Sequence, residues 1–300
     1  PSHEIPRNST AEIAVVIDEK SLGLFCPNDY NAYDLLRDIM PGLARLGATV
    51  EYYLSSDLER IPERIKLLVF PCSLAPDAKQ LAAVEHLKAD GRVLLFLYGP
   101  AIADSATPAP AMREFTGLPL DLEPEGVLAQ MILDAPDGKY LPEALRGKTM
   151  ATNGGRKYTP CPYVCDEAGT TVLAHYPNGS GALAVREYDH WTSAYAAVPA
   201  LPREFLEALI KRAGIHRYLE TPDQVWANRS MVGVCVDAPG PRTVSLPQVG
   251  SCPKAVYDPL ADEEFALDEQ WHFTADFAEG ATRLFVKMSR VEYQQFRAKE

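Results

Sequence analysis

The chain has 300 residues, 47% hydrophobic and 23% charged, a composition that fits a globular protein with room for one large or two ordinary domains. A net charge of −12 with scattered lysines and arginines excludes the clustered basic face that a phosphate backbone requires. No apolar run approaches the roughly 20 residues that span a bilayer, and six cysteines are too sparse for a disulfide scaffold. Neither nucleic acid nor membrane is therefore expected as a partner. The compartment stays open, with a soluble, cytoplasmic setting preferred.

Residues 1–10 read as a linker, and a chain opening at Pro1 in a polar stretch reads as a piece cut or processed from a longer one. Glu12–Ile17 is an apolar run ending at Asp18-Glu19 and predicts a buried strand. Asn28 to Leu46 predicts a helix. Asn28 or Asp29 offers a cap, and Leu35, Leu36, Ile39, Leu43 and Leu46 recur at helical spacing. Pro41 is expected to kink this helix and Gly47 to end it. Thr49–Leu54 is a second strand, and Lys66–Phe70 a third that Pro71 is expected to stop. Pro76-Asp77 opens a helix through Ala89, and Asp90-Gly91 turns into a strand at Arg92–Leu97. Strands apolar on both faces, alternating with amphipathic helices, predict a parallel sheet with helices on both faces. Ligands of such sheets collect at the carboxyl ends of the strands. There the sequence offers Asp18, Glu19, Cys72, Ser73 and Tyr98.

From Ala101 to Asp166 the chain is loop-rich, with a short helix at Met112–Gly117 and a candidate strand at Val127–Leu133. Thr170–His175, Ala182–Glu187 and Ser193–Val198 are β-prone, and Gly179-Ser180-Gly181 joins the first two as a hairpin. Leu201-Pro202 starts a helix, Arg203–Arg212, closed by Gly214. After His216 short alternating runs follow one another, separated by Pro-Gly, Asp-Pro and Glu-Gly turns, which predicts a small antiparallel β-sandwich. The expected organisation is a linker over 1–10, an α/β domain over 11–215 and a β-domain over 216–300 with a helical tail.

The strand at Arg92–Leu97 runs into Tyr98-Gly99-Pro100. In the class I glutamine amidotransferase-like fold, which the pattern resembles, this strand-to-helix turn carries a cysteine on a strained elbow beside a base. Here the slot holds Leu97 or Tyr98. Leucine cannot attack, and a tyrosine without an adjacent base is a poor nucleophile, so no catalytic residue is assigned. Cys72, directly after a strand, is the alternative nucleophile. It would need a low pKa and a base, and His86 on the following helix faces outward by its spacing. A structural thiol is the preferred reading.

Asp18 and Glu19 supply two carboxylates, the glycosidase device, yet adjacent residues leaving a strand point in opposite directions. That favours a strand-end cap or a solvated loop. Arg186–Ser193 is the densest polar–aromatic cluster, with Tyr188 and Trp191 at its centre. A saccharide cleft, an interface hot spot and a packed indole at a strand crossing all stay open. Trp226 and Trp271 are expected in the core of the β-domain. Cys161 and Cys165, with His175 ten residues on, lack the second pair of a zinc site, so no metal is expected. No Gly-rich nucleotide motif follows a strand, and Asn153–Arg156 is an unframed loop, so no cofactor is expected. Asn-x-Ser/Thr triplets at Asn8, Asn178 and Asn228 matter only for a chain secreted in a glycosylating host.

Ala11–Glu19, the helix ending Leu43-Ala44-Arg45-Leu46-Gly47, and the third strand with Pro71 resemble the post-barrel domain of glycoside hydrolase family 42-type β-galactosidases. The resemblance implies an amidotransferase-like domain that lacks the nucleophile and mediates trimerisation. Val185–Ser193 and Arg212–Tyr218 resemble the distal part of large bacterial proteins related to that clan, in which a small β-domain ends the chain. The (β/α)8 barrel bearing that family's catalytic glutamates has no counterpart here, so no catalytic residue carries over. What the resemblance implies is a non-catalytic accessory and oligomerisation part of a glycoside hydrolase. Its expected partners are further copies of itself, a trimer included, and carbohydrate. Tyr188, Trp191, Asp18, Glu19 and Tyr98 are the candidates for a substrate rim or an interface. Two alternatives remain: a stand-alone amidotransferase-like or esterase-like hydrolase using Cys72, and a carbohydrate-binding module acting through the β-domain.

Overall fold

The computed structural model describes residues 8–24, 31–103, 107–152, 157–250 and 252–298, with residues 31–33 described by their backbone alone. Cys26, the cap candidates Asn28 and Asp29, the loop Asn153–Arg156 and residues 1–7 of the expected linker lie outside the described residues. The chain divides into two compact units. One holds Ile13–Leu43 and Glu51–Ile215; the other holds the residues up to Glu12, Ala44–Val50 and everything from His216 on.

The first unit is α/β. In chain order its elements are β1 (Ile13–Ile17), α1 (Glu19–Leu22), α2 (Asn31–Arg37), α3 (Ile39–Ala44), β2 (Val50–Leu54), β3 (Leu67–Cys72), α4 (Ala78–Leu87), β4 (Arg92–Leu97) and α5 (Pro108–Thr116). Then come β5 (Leu120–Glu123), β6 (Val127–Leu128), β7 (Gln130–Ile132), β8 (Thr149–Ala151), β9 (Lys157–Tyr158), β10 (Cys161–Val164), β11 (Thr170–His175), β12 (Gly181–Glu187), β13 (Trp191–Ala196) and α6 (Arg203–Arg212). The main sheet runs β2-β1-β3-β4-β13-β12-β11-β7-β8, with β10 and β5 attached beside β12. β1, β3, β4 and β13 pair in parallel. Every residue of β3, β4 and β13 is buried, which requires cover on both faces. Phe115 of α5 packs against Phe70 and Phe96. Elsewhere α3 and α6 approach so closely that a Cβ on Gly42 would lie 3.1 Å from Leu206.

Three expectations are corrected. The sheet is mixed rather than parallel throughout. β12 and β13 are joined by a tight hairpin, closed by the Tyr188 N–H donating to Trp191 O at 2.9 Å, and so short a connection obliges antiparallel pairing. Pro71 does not stop β3. The register with β1 shifts between Val15↔Val69 and Ile17↔Cys72, so a bulge takes up the proline that a regular ladder would reject. The long helix is two helices broken at Asp38. Arg37 ends α2 four residues before Pro41, where the proline ring would meet the Arg37 carbonyl.

The second unit contains β14 (Gln224–Ala227), β15 (Met231–Cys235), β16 (Gly240–Ser245), β17 (Val256–Asp258), β18 (Glu263–Phe265), β19 (His272–Phe277), β20 (Thr282–Val286) and α7 (Arg290–Arg297). A five-stranded sheet, β14-β15-β20-β17-β18, and the ribbon β16-β19 share one core that includes Val232, Val234, Val244, Phe273 and Phe285. Trp271 packs partly against this core, but Trp226 is 57% exposed. The expectation of a buried Trp226 fails on parity: Val225 points inward, so its neighbour on β14 faces solvent. The indole lies beside Gly233 of β15, its Cε3 4.0 Å from where a Cβ would be.

Ala44–Val50 is stitched into this unit by backbone. Gly47 O accepts from the Tyr218 N–H at 2.7 Å, Leu46 O accepts from Arg217 Nε at 3.0 Å, and Arg45 pairs with Asp237. Gly47 has φ +68, and a Cβ there would stand 1.9 Å from Leu219 O. Gly280 has φ +66 with nothing within 4 Å. Gly280→Ala is therefore expected to cost about 1–2 kcal/mol, the left-handed penalty alone. Gly47→Ala is expected to cost more than about 4 kcal/mol. Urea unfolding of the two variants checks this, and equal midpoints would contradict it.

Candidate functional site

The carboxyl edge of the parallel strands is where a doubly wound sheet places its ligand. Directly after β4, Tyr98 has φ +58 and Ala101 φ +60. A bulky residue held at positive φ makes a strained turn there. Its occupant is Tyr98 rather than Leu97, which is the last residue of β4. The phenol does not project. Tyr98 is 6% exposed, its ring packs on Tyr158 at 4.7 Å, and its hydroxyl donates to Pro160 O at 3.2 Å. The Tyr195 hydroxyl donates to Tyr98 O at 2.6 Å. Burial pushes the phenols of Tyr158 and Tyr195 well above the ordinary tyrosine range, so both stay protonated. Sequence reasoning missed this lock, because Tyr195 lies 97 residues beyond Tyr98 and no local pattern links them.

Asp18 and Cys72 stand on the same edge. Asp18 is 2% exposed and accepts from Ser21 Oγ at 2.5 Å and from Ser55 Oγ at 3.1 Å. Ser21 Oγ in turn accepts from the Leu74 N–H at 2.7 Å, so the carboxylate fastens the turn after β3 to the turn after β1. Glu19 is exposed, and the two carboxylates do not flank one cleft. Ser21 and Ser55 were invisible as site residues in the sequence, each being a lone serine in a polar stretch. The Cys72 thiol is buried, and burial together with the Asp18 charge pushes its pKa up to about 12. A reactive cysteine needs the opposite shift. Next to Ser55 lies a depression of about 150 Å³ lined by Ser55, Glu59, Asp77, Lys79 and Gln80. Its polar groups already bond one another, Gln80 Nε2 to Ser55 Oγ at 2.7 Å and Lys79 to Glu59 at 3.1 Å.

Tyr188 and Trp191 lie at the other edge. Trp191 begins β13 and pairs with Arg92, the first residue of β4, whereas Tyr98 follows the last. Six residues at ~3.3 Å each separate the two positions by about 20 Å, so the rim candidates do not converge. The Tyr188 and Trp191 rings stack at 4.7 Å and 1°. The Arg186 guanidinium sits 5.4 Å from the Tyr188 ring and Lys88 Nζ 5.5 Å from Trp191. Tyr188 OH donates to Gly117 O, and a Cβ on Gly117 would stand 2.9 Å from the indole. Cations and glycine of the same unit thus occupy the stack, which is the arrangement of a packed strand crossing.

Cys161 is buried in β10, with its pKa pushed up to about 11 by burial, and His175 Nδ1 is bonded to Asp134 at 2.7 Å. Among the described residues no group of three or more His, Cys, Asp or Glu side chains could hold a metal ion, and no helix is long and apolar enough to cross a membrane.

No protein-family model and no curated protein sequence matches the chain. Solved structures do. The β-galactosidase from Bacillus circulans sp. alkalophilus aligns with a TM-score of 0.63 at 17% identity, over 94% of this chain and 42% of that one. Gan42B, a GH42 β-galactosidase from G. stearothermophilus crystallised as a catalytic mutant, aligns at 0.61 and 15%, over 93% and 40%. The α-L-fucosidase isoenzyme 2 from Paenibacillus thiaminolyticus aligns at 0.61 and 15%, over 93% and 48%. The likeness is one of fold. This chain spans about two fifths of the length of the two galactosidases.

With Cys72 buried and its pKa raised, thiol labelling of the native chain at neutral pH is expected to modify exposed Cys252 and to leave Cys72 intact until the chain is unfolded. Mass spectrometry of labelled peptides reads the difference. Equal labelling of the two would reverse the conclusion about the thiol.

Proposed function

We propose that this chain is the accessory, assembly-forming portion of a glycoside hydrolase-related protein. In this reading an amidotransferase-like α/β domain, its elbow plugged, carries a β-domain, and hydrolysis is done by a catalytic domain that the chain does not contain. The observation that carries it is Tyr98: the turn after β4 is strained, and the Tyr98 side chain is packed against Tyr158 and bonded to Pro160. The high pKa of Cys72 removes the neighbouring nucleophile. Carbohydrate as the substrate class rests on the glycosidases that share the fold over about 94% of the chain. Self-association is the activity this reading assigns to the chain. Sedimentation velocity is expected to show an oligomer, and a strict monomer at every concentration would refute it.

One observation favours a second activity within the same reading. Trp226 presents an indole 57% exposed on a sheet face, the platform on which a pyranose ring stacks. Titration with galactosides is then expected to quench tryptophan fluorescence in the parent chain and not in Trp226→Ala. An unchanged response in that variant would remove the carbohydrate-binding reading.

A further inference from the structure

The outer face of the five-stranded sheet carries a glycine that the fold itself does not explain. Gly233 is the middle residue of β15, paired with Trp226 of β14 on one side and with Leu284 of β20 on the other. A glycine inside a strand weakens it, and the usual reasons for one are a bulge, a positive φ, a crowding neighbour or the close approach of a ligand. The first three do not hold at Gly233. The register runs without a shift through both pairings, and its φ is not positive. A Cβ there would stand 3.7 Å from Trp226 O and 4.0 Å from both Trp226 Cε3 and Leu284 Cδ1, which is ordinary contact. A methyl would fit, and its omission leaves a notch between the indole and the leucine.

Alternation along the strands sets what surrounds this notch. Val225, Val232, Val234 and Phe285 point into the core, so Gln224, Trp226, Gly233, Thr282 and Leu284 face outward. Gln224 and Thr282 belong to one row across the sheet, each paired with Cys235. That row lies two residues, about 7 Å, from the row of Trp226, Gly233 and Leu284. Among the described residues no hydrogen bond engages the Gln224 amide or the Thr282 hydroxyl. On its far side the face is closed, because Tyr293 of α7 packs on Tyr257 of β17 at 5.4 Å. No outward position of β14, β15 or β20 is charged, although the chain carries a net charge of −12.

An exposed indole with an apolar neighbour, one ring's width from an unengaged amide and hydroxyl, matches a sugar ring, which offers C–H groups on its face and hydroxyls at its rim. An anionic ligand finds no counter-charge on these strands and meets the negative field of the chain. We propose that Gly233 opens a binding notch for a neutral hexopyranose unit, which lays its C–H face against Trp226 and Leu284 and directs hydroxyls to Gln224 and Thr282. The proposal rests on the carbohydrate reading of Trp226 above and adds to it a floor, a polar row and a selectivity against acidic sugars.

Isothermal titration of the chain with a neutral β-galacto-oligosaccharide and with oligogalacturonate tests it. The neutral ligand is expected to bind, and the acidic one to bind at least about tenfold more weakly. Gly233→Ala is expected to weaken the neutral ligand at least about fivefold while raising the urea midpoint, because the methyl fills the notch and relieves the strand of a glycine. Gln224→Ala is expected to weaken it about threefold with the midpoint unchanged. Binding that is lost in Trp226→Ala but untouched in both Gly233→Ala and Gln224→Ala would overturn the notch and leave the Trp226 reading standing. A parent chain that binds neither sugar, or that binds equally well without the indole, would overturn both. A midpoint that falls in Gly233→Ala would show that the fold itself needs the glycine, and oligogalacturonate binding as tightly as the neutral ligand would remove the selectivity; either result refutes the proposal.

Discussion

The carbonyl of Tyr98 accepts a hydrogen bond from Tyr195, and the rest of the candidate site follows from that contact. It joins the end of β4 to β13 where the chain must turn through positive φ. A residue forced into that region is costly unless its surroundings over-determine it. Here Tyr195 fixes the backbone, Tyr158 covers the ring and Pro160 takes the hydroxyl proton. The edge that serves as a reaction cradle in doubly wound proteins is thereby converted into packed interior. Asp18 continues the same work on the neighbouring strands, where a buried carboxylate satisfied by two serine hydroxyls ties turns together.

Burial raises the Cys72 thiol and the phenols of Tyr158 and Tyr195, so these three groups are held in their neutral form. The Gln80 amide and the Ser55 hydroxyl at this edge bond one another, while the buried Tyr158 hydroxyl has no hydrogen-bond partner among the described residues.

Much of this was legible in the sequence wherever the signal was local. Arg92–Leu97 and Arg203–Arg212 form the elements predicted, to the residue, because an apolar run or a helical period is complete within each segment. The turn after β4 was legible too, with Tyr98 as the residue that occupies it. What could not be read depends on a neighbour. Pro71 stays in β3 because β1 tolerates a bulge there, and Trp226 faces outward because Val225 is claimed by the core. Tyr188 and Trp191 fall about 20 Å from Tyr98 because a tight hairpin returns the chain to the amino edge, a fact of pairing rather than of composition.

The most direct trial is a turnover assay of the purified 300-residue chain against chromogenic galactosides and simple esters. No hydrolysis above the buffer rate is expected, and Cys72→Ser and Tyr98→Phe are expected to leave that null result unchanged. Sustained turnover by the chain, lost when either side chain is replaced, would show that the plugged edge is an active site after all.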